Sequence, residues 1–301
     1  MSVGAHGRAV SVPTLGVRVA DYVELTKPRI TFMVVVSTAA GYYLGAERAL
    51  DLVRMLHTLV GTALVASGAS ALNQLLERDT DALMHRTRNR PLPSRRLDFA
   101  QVLGFGLACV ALGTLHLYLT VNALTSMLGL LTVALYVLAY TPLKRRSSLC
   151  TIVGAVPGAL PPVMGWTAAW GDLSLEAWTL FAILFFWQLP HFLAIAWAYR
   201  DDYARGGQPM LPVIDGDGSR TARQVVLYCL ALVPVSLAPA LVHLSGTIYF
   251  AGALVLGLVY LTAGLHAARS RSVESARLLL RTSVVYLPLL LALMTLDKVP
   301  L

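Results

Sequence analysis

Nine long apolar stretches constrain the fold of this 301-residue chain more than any other feature. Most of them reach the roughly 20 residues that a helix needs to cross the hydrocarbon core of a bilayer. Apolar residues make up 56% of the chain and charged residues only 13%, a balance that excludes an ordinary soluble domain. The stretches cover approximately residues 30–45, 54–76, 99–119, 123–140, 149–168, 176–199, 224–243, 247–267 and 278–296. We therefore predict an all-α polytopic membrane protein with nine transmembrane helices around a central cavity.

The distribution of lysine and arginine predicts how these spans are oriented. If the N-terminus lies inside, 21 of the 24 Lys and Arg residues fall on that same side, and only Arg48, Arg54 and Lys298 fall on the other. The positive-inside rule then places the N-terminus and the basic loops in the cytoplasm. Because the charge is dispersed over short loops between spans, we expect a lipid bilayer as partner and no nucleic acid.

The rest of the composition predicts a single membrane domain without redox or nucleotide motifs. We expect residues 1–20 to form a flexible cytoplasmic tail and residues 21–301 to form one transmembrane domain. Cys109, Cys150 and Cys229 are odd in number and form no CxxC pair, so they are interpreted as packing residues. No signal peptide or Arg- and Ser-rich transit segment opens the chain, which favours a bacterial plasma membrane.

Three polar residues close the second apolar stretch at intervals of four. Asn73, Glu77 and Asp81 should share one helix face, since residues four apart on a helix lie almost above one another. Like charges at that spacing repel each other, and the C-terminus of a helix already carries negative partial charge. A positive partner is therefore expected, and these oxygen ligands suit Mg²⁺, which binds through carboxylates and substrate phosphates.

Basic residues follow this acidic cluster directly. Arg86 and Arg90 are four apart and would face together if the helix continues, in a position to hold phosphate groups. In the segment YTPLKRR, Tyr140 and Lys144 lie on one face at the end of the fourth stretch, with Arg145 next in the chain. Taken alone, this second group is explained equally well by membrane topology. Beside the acidic cluster, the arginines predict a site for a lipid diphosphate at the bilayer edge.

The sixth stretch ends on the same predicted side as the second. It reads FFWQLPHFLAIAWAYRDD, and its end carries Asp201 and Asp202. Two polar helix ends on one side suggest two related halves around one cavity. Within this stretch, Gln188 and His191 lie on one face. Polar groups inside a membrane are costly and mark functional sites. A lone histidine is also a common helix-packing residue, so both interpretations of His191 stand at this point.

These motifs resemble the UbiA superfamily of intramembrane prenyltransferases, whose second helix carries the pattern NDxxDxxxD and whose sixth carries another acidic motif. In this chain Glu77 replaces the middle aspartate, and His191 stands where relatives carry an acidic residue. That departure is similar to the branch of the superfamily that farnesylates protohaem IX. The resemblance covers nearly the whole chain apart from the first 20 residues and the last three helices. The other stretches that carry the resemblance are Tyr22–Ile30, Tyr140–Arg145, Trp187–Phe192 and Asp202–Leu211.

The resemblance implies a UbiA-like fold and a Mg²⁺-dependent prenyltransferase. It would transfer farnesyl from farnesyl diphosphate to the 2-vinyl group of haem b, with addition of water, giving haem O and diphosphate for haem-copper oxidase maturation. Haem A synthase is a possible partner. The implied catalytic residues are Asn73, Glu77, Asp81, Lys144 and Asp202. The implied metal ligands are Asn73, Glu77, Asp81, Asp201 and Asp202. The implied diphosphate ligands are Arg86, Arg90, Lys144 and Arg145, and the haem-facing residues are His191 and Trp187.

Two other functions are compatible with parts of this pattern. An aromatic prenyltransferase of quinone or chlorophyll biosynthesis would share the metal site and differ in the acceptor, but the WQLPHF segment and Glu77 speak against it. A membrane transporter could use paired intramembrane acids as coupling sites. Transport has no need for an arginine cluster beside those acids, which favours the enzyme.

Overall fold

The computed structural model describes residues 15–47 and 50–300, and these are helical apart from loops and one isolated bridge between Ser245 and Lys298. The shorter helices are α1 (Leu15–Leu25), α4 (Arg78–Leu83), α9 (Arg200–Arg205) and α10 (Leu211–Ile214). The longer helices are α2 (Pro28–Gly45), α3 (Leu52–Leu76), α5 (Phe99–Thr120), α6 (Ala123–Leu143), α7 (Cys150–Trp170), α8 (Leu175–Ala198), α11 (Ser219–Leu241), α12 (Thr247–Ser270) and α13 (Val273–Leu296). The predicted all-α polytopic fold is confirmed.

Eight of the longer helices are long and apolar enough to cross a membrane, and α2 is the exception. The prediction of nine spans is therefore one more than the described residues show. Helix α2 has 18 residues, includes Arg29, and buries polar residues such as Ser37 and Thr38. Its second half packs against the protein rather than lipid, because a Cβ added at Gly41 would lie 2.0 Å from the Pro162 carbonyl oxygen of α7. A helix covered in this way needs fewer apolar residues than one that faces lipid.

The spans pack in two groups that meet along α2 and α7. Helices α3 and α5 form a tight antiparallel pair, in which a Cβ added at Gly68 would lie 2.7 Å from the Gly106 carbonyl oxygen. Helix α7 is the most enclosed span, and α8, α11, α12 and α13 pack beyond it. Helix α13 also contacts α2, so the last of the longer helices packs against the first. Cys109, Cys150 and Cys229 are all buried with free thiols, as their predicted packing role requires.

Helix α1 begins at Leu15, within the stretch predicted as a flexible tail. Residues 1–14 lie outside the described part of the chain. The second half of α1 is tied to the protein: Leu25 is buried, and the buried carboxylate of Asp21 pairs with Arg96. Glu24 pairs with the same guanidinium at 2.9 Å. These long-range contacts, which no local pattern shows, make this segment part of the fold.

The loops that follow α3, α6 and α8 come together at one end of the molecule. A buried cluster joins Met84 from the first loop, Cys150 at the start of α7, and Tyr203 and Met210 from the third. Just before this cluster, α6 widens into a π-helical turn at Leu135–Tyr140. Pro142 gives a reason for the turn, since proline has no N–H to donate and its ring clashes with the carbonyl of the preceding turn.

Candidate functional site

The acidic cluster predicted at the end of α3 keeps one helical register through two helices. Helix α3 ends at Leu76, and Glu77 is the junction before α4. The backbone N–H of Glu77 donates to the Asn73 carbonyl at 3.0 Å, and that of Asp81 donates to the Glu77 carbonyl at 2.8 Å. The three residues are therefore on successive turns of one face. All three are buried, with 1%, 6% and 1% of their surface exposed in chain order.

Each of these three side chains is bound to a cation from a different part of the chain. Lys144 Nζ lies 2.6 Å from Glu77 Oε1, and Arg90 Nη1 lies 2.7 Å from Asp81 Oδ2. The Lys27 ammonium donates to Asn73 Oδ1 at 2.8 Å. The expected positive partners are therefore present. Three cations and three oxygen-bearing side chains therefore form one cluster of paired groups at the C-terminal end of α3.

Burial and neighbouring charges shift the protonation equilibria of this site. Burial disfavours the Lys144 ammonium, but the Glu77 carboxylate outweighs it and holds the pKa of Lys144 well above its ordinary value. Burial also disfavours ionisation of Glu77, yet Lys144 keeps the pKa of that carboxyl below its usual range. For Asp81, burial outweighs the attraction of Arg90 and raises the pKa. Burial and the nearby Arg90 charge lower the pKa of Lys27 to about 7.

Arg86 lies on two aromatic rings at the edge of this charge cluster. Its guanidinium carbon is 5.0 Å from the centre of the Tyr199 ring and 5.5 Å from that of Tyr203. It also donates to the Tyr203 hydroxyl at 3.3 Å. Such cation–π contacts hold a guanidinium without neutralising its charge, so Arg86 can still bind an anion. Arg145 is exposed, and it lies next in the chain to the half-buried Lys144.

The two aspartates after α8 differ in environment. Asp202 is buried, and its Oδ1 accepts a hydrogen bond from the His85 backbone N–H at 3.0 Å and another from Arg205. It therefore links α9 to the loop that carries the arginines. The Asp201 side chain is 83% exposed and lies 3.7 Å from Arg200. The structure places the Asp202 carboxylate against the loop that carries Arg86 and leaves the Asp201 side chain in solvent.

His191 and Trp187 are stacked on each other and turned toward α13. Their ring centres are 5.0 Å apart, and both bind Ser283: His191 Nδ1 lies 2.7 Å from its hydroxyl, and Trp187 Nε1 donates to its carbonyl at 2.9 Å. The two predicted haem-facing residues thus lie together within α8, before it ends at Ala198, whereas Asp202 lies on the separate helix α9.

Sequence reasoning missed two residues of the site, Lys27 and Thr141. Lys27 contacts Asn73 across 46 positions of the chain, and Thr141 accepts a hydrogen bond from Asn73 Nδ2 at 3.0 Å. Both lie inside stretches that carry the family resemblance, which is the one signal that could have singled them out. No spacing rule predicts such contacts, because they depend on how α2 and α6 pack against α3.

The donors at this site fit Mg²⁺ by their chemistry. Amide and carboxylate oxygens are the ligands that this ion prefers, and Asn73, Glu77 and Asp81 offer them on one face. In the described structure, however, a lysine or arginine side chain is bound to an oxygen of each of these three residues. Within residues 15–47 and 50–300 no three His, Cys, Asp or Glu side chains converge closely enough to hold a metal ion. A metal would fit here if the cations turned from the carboxylates to phosphate oxygens.

Comparison with known proteins assigns the chain to a family. The model of the UbiA prenyltransferase family matches residues 34–287. A Solibacter usitatus protein called protoheme IX farnesyltransferase is 53% identical over 287 residues, covering 92% of this chain and 98% of that relative. A Koribacter versatilis protein of the same name is 46% identical over 308 residues, covering 99% of each.

Solved structures show the same fold at low sequence identity. A digeranylgeranylglyceryl phosphate synthase superposes with a TM-score of 0.79 at 14% identity, covering 94% of this chain and 99% of its own. A UbiA homologue from Archaeoglobus fulgidus, bound to GPP and Mg²⁺, gives a TM-score of 0.69 at 16% identity, with 91% and 98% covered. The matched residues, the full-length relatives and the shared fold agree: the chain belongs to the UbiA prenyltransferase family.

Proposed function

We propose that this chain transfers the farnesyl group of farnesyl diphosphate to the 2-vinyl group of haem b, with addition of water, giving haem O and diphosphate. The observation that carries the proposal is the buried alternation of acids and cations at the end of α3, with Glu77 on Lys144 and Asp81 on Arg90. The names of the two full-length relatives support haem as the acceptor.

The diphosphate would bind where the cations now hold carboxylates. Lys144, Arg90 and Lys27 each lie within hydrogen-bond distance of an oxygen of the acidic cluster, so small side-chain rotations would turn them to phosphate oxygens. Arg86, which lies over two tyrosine rings, would also bind the diphosphate. Arg145 belongs to the same predicted set, and its exposed position makes it an outer contact at most.

Asn73, Glu77, Asp81 and Asp202 are the residues that would hold Mg²⁺, and the exposure of Asp201 gives that residue no support as a ligand. When bound, the ion supplies Lewis-acid neutralisation of the diphosphate leaving group. The Archaeoglobus fulgidus homologue is bound to GPP and Mg²⁺, which supports a metal-dependent diphosphate site of this kind.

The chemistry asks the protein to stabilise charge and to exclude water. The bond between the farnesyl carbon and the diphosphate oxygen breaks. Its electron pair leaves with the diphosphate, whose charge Lys144 and Arg90 neutralise. The allylic cation accepts the electron pair of the haem vinyl group. Water then adds to the new cationic carbon and loses a proton. The stacked rings of Tyr136 and Tyr140, 5.3 Å apart and next to Lys144, can shelter the allylic cation and stabilise its charge.

The haem would lie toward α8 and α13, where His191 and Trp187 are stacked. His191 is only half-buried, and its Nδ1 is held by Ser283, which leaves Nε2 as the ring nitrogen that can face a ligand. We place the protein in a bacterial plasma membrane with the acidic cluster at the cytoplasmic face. Its product would pass to haem A synthase or directly to a haem-copper oxidase.

Expression in a bacterial host whose own haem-farnesylating enzyme is deleted tests this function. Haem extracted from the membranes should contain haem O when the wild-type chain is present, and far less when Glu77 is replaced by glutamine. Membranes that contain the folded wild-type protein but no haem O would overturn the proposal.

A further inference from the structure

Thr141 joins the acidic cluster on α3 to the π-helical turn of α6. Its hydroxyl oxygen lies 3.0 Å from Asn73 Nδ2 and 2.8 Å from the carbonyl oxygen of Tyr136. The residue is buried, and its backbone N–H also donates to the Tyr136 carbonyl, which closes the π turn. One hydroxyl therefore touches both a candidate metal ligand and the turn that leads to Lys144.

The chemistry of the neighbours fixes the direction of each hydrogen bond. A carbonyl oxygen only accepts, so the Thr141 hydroxyl must donate its proton to Tyr136. The hydroxyl oxygen is then left as an acceptor, and Asn73 must turn its NH₂ group toward it. The amide oxygen consequently points the other way, where the Lys27 ammonium, which only donates, lies 2.8 Å away. Both neighbours agree on the orientation of an amide whose two ends are otherwise hard to tell apart.

We propose that Thr141 is a positioning residue that keeps the Asn73 amide oxygen turned toward the place where Mg²⁺ and the diphosphate would bind. When Lys27 turns to a phosphate, Thr141 is the neighbour that still holds the amide. Without the hydroxyl, the buried NH₂ group loses its acceptor, and the amide can rotate to present a donor where Mg²⁺ needs an oxygen. The inference rests on the proposed function for the identity of the ligand.

Two substitutions separate the hydroxyl from the shape of the side chain. Thr141→Val keeps the branched shape and removes the hydroxyl, whereas Thr141→Ser keeps the hydroxyl and removes a methyl group. Thr132→Val is the matched control. The Thr132 hydroxyl lies on the same helix as Thr141 and donates to the Leu128 carbonyl at 2.8 Å, so it does not bond to Asn73. If valine disturbs folding, Thr141→Cys makes the same comparison with a much weaker hydrogen-bonding group.

The measurement is calorimetric binding of farnesyl thiolodiphosphate, a slowly cleaved analogue, to each purified protein with Mg²⁺ or with EDTA. With Mg²⁺, we expect Thr141→Val to bind about tenfold more weakly than wild type, the effect of one lost hydrogen bond next to a charged group. With EDTA, Thr141→Val and wild type should bind alike. Thr141→Ser and Thr132→Val should follow wild type in both conditions.

Wild-type binding by Thr141→Val in Mg²⁺ would overturn the inference, as would an equal loss with Mg²⁺ and with EDTA. A loss in Thr141→Ser as large as that in Thr141→Val would also overturn it, because shape rather than the hydroxyl would then matter. If wild type binds the analogue with Mg²⁺ but farnesylates no haem, the proposed acceptor fails while the role of Thr141 stands. If wild type does not bind the analogue with Mg²⁺, both fail.

Discussion

The residues of the site are charges that are buried in pairs at the edge of a membrane. Burying a charge is costly unless a partner compensates it, and here Lys144 compensates Glu77 while Arg90 compensates Asp81. An anionic diphosphate with a divalent cation carries the same two kinds of charge. Such a ligand would therefore replace the internal pairs and leave the carboxylates facing a cation and the basic side chains facing an anion. The internal pairs keep the buried charges compensated when no ligand is bound.

The role of Glu77 gives the first prediction. Glu77→Gln keeps the shape of the side chain but removes the charge that faces Lys144, so the Mg²⁺ site loses a carboxylate. We expect the rate of haem farnesylation to fall on the order of 100-fold, as for other metal-site and charge-stabilising groups. The measurement is product formation by purified protein that elutes as wild type in size exclusion.

The neighbouring carboxylate provides the control for Glu77. Asp79 lies two residues away on the exposed side, with 80% of its side chain in solvent and Arg78 at 3.0 Å. Asp79→Asn should leave the rate unchanged. A wild-type rate in Glu77→Gln would contradict the metal and charge roles assigned to that residue.

At the residue scale, the sequence predicted the acidic cluster better than its partners. The spacing of Asn73, Glu77 and Asp81 was enough to predict one face and a need for positive charge. It could not show that Lys27 comes from 46 positions away, or that Asp202 faces inward and Asp201 outward. Adjacent residues on a helix point in different directions, and only the docking of α9 on the first loop decides which one is buried.

At the scale of elements, α9 and the loop after α4 act as one unit. The carboxylate of Asp202 accepts the backbone N–H of His85, and Met84 and Tyr203 share a buried cluster. The arginines of this loop are therefore held in place by α9. This connection gives Asp202 a structural effect that does not depend on any metal.

Removing that carboxylate should loosen the arginine loop. We expect Asp202→Ala to speed backbone hydrogen exchange at residues 84–90 about tenfold, the effect of one lost hydrogen bond to an ionised group. Hydrogen exchange with mass spectrometry measures this in the ligand-free protein. Asp201→Ala, which changes an exposed side chain, should leave the exchange as in wild type, and faster exchange in both variants or in neither would contradict the assignment.

The bounds of most spans could be predicted because the apolar runs are long and the loops short. The docking of α1 could not, since Asp21 is held by Arg96, far along the chain. The π-helical turn in α6 was also missed. A proline inside an apolar run marks an irregularity but not its form, and here the form depends on Thr141 bonding to Tyr136.

At the scale of the whole molecule, the fold brings the ends of two distant helices to one face. Helices α3 and α8 run in the same direction, and the loops after both of them carry the site. The charge distribution predicts that this face is cytoplasmic, because the basic loops lie on it. Farnesyl diphosphate would then bind with its charged end at this face and its tail among the spans.

Labelling of single cysteines tests this orientation. In a background without Cys109, Cys150 and Cys229, which are buried, Asp172→Cys should react with a membrane-impermeant maleimide added outside cells. Arg145→Cys, on the opposite face, should react only after the membrane is permeabilised. The reverse pattern would place the acidic cluster on the outer face and contradict the predicted topology.

Mass analysis of the haem product tests the central claim most directly. The purified protein is incubated with haem b, farnesyl diphosphate and Mg²⁺, and the pigments are separated by liquid chromatography with mass detection. The account predicts a new haem heavier than haem b by one farnesyl group and one hydroxyl group, and its absence when EDTA replaces Mg²⁺. Unchanged haem in this incubation, with farnesyl transferred to an aromatic acid or a quinol precursor when one is supplied, would contradict the proposed acceptor.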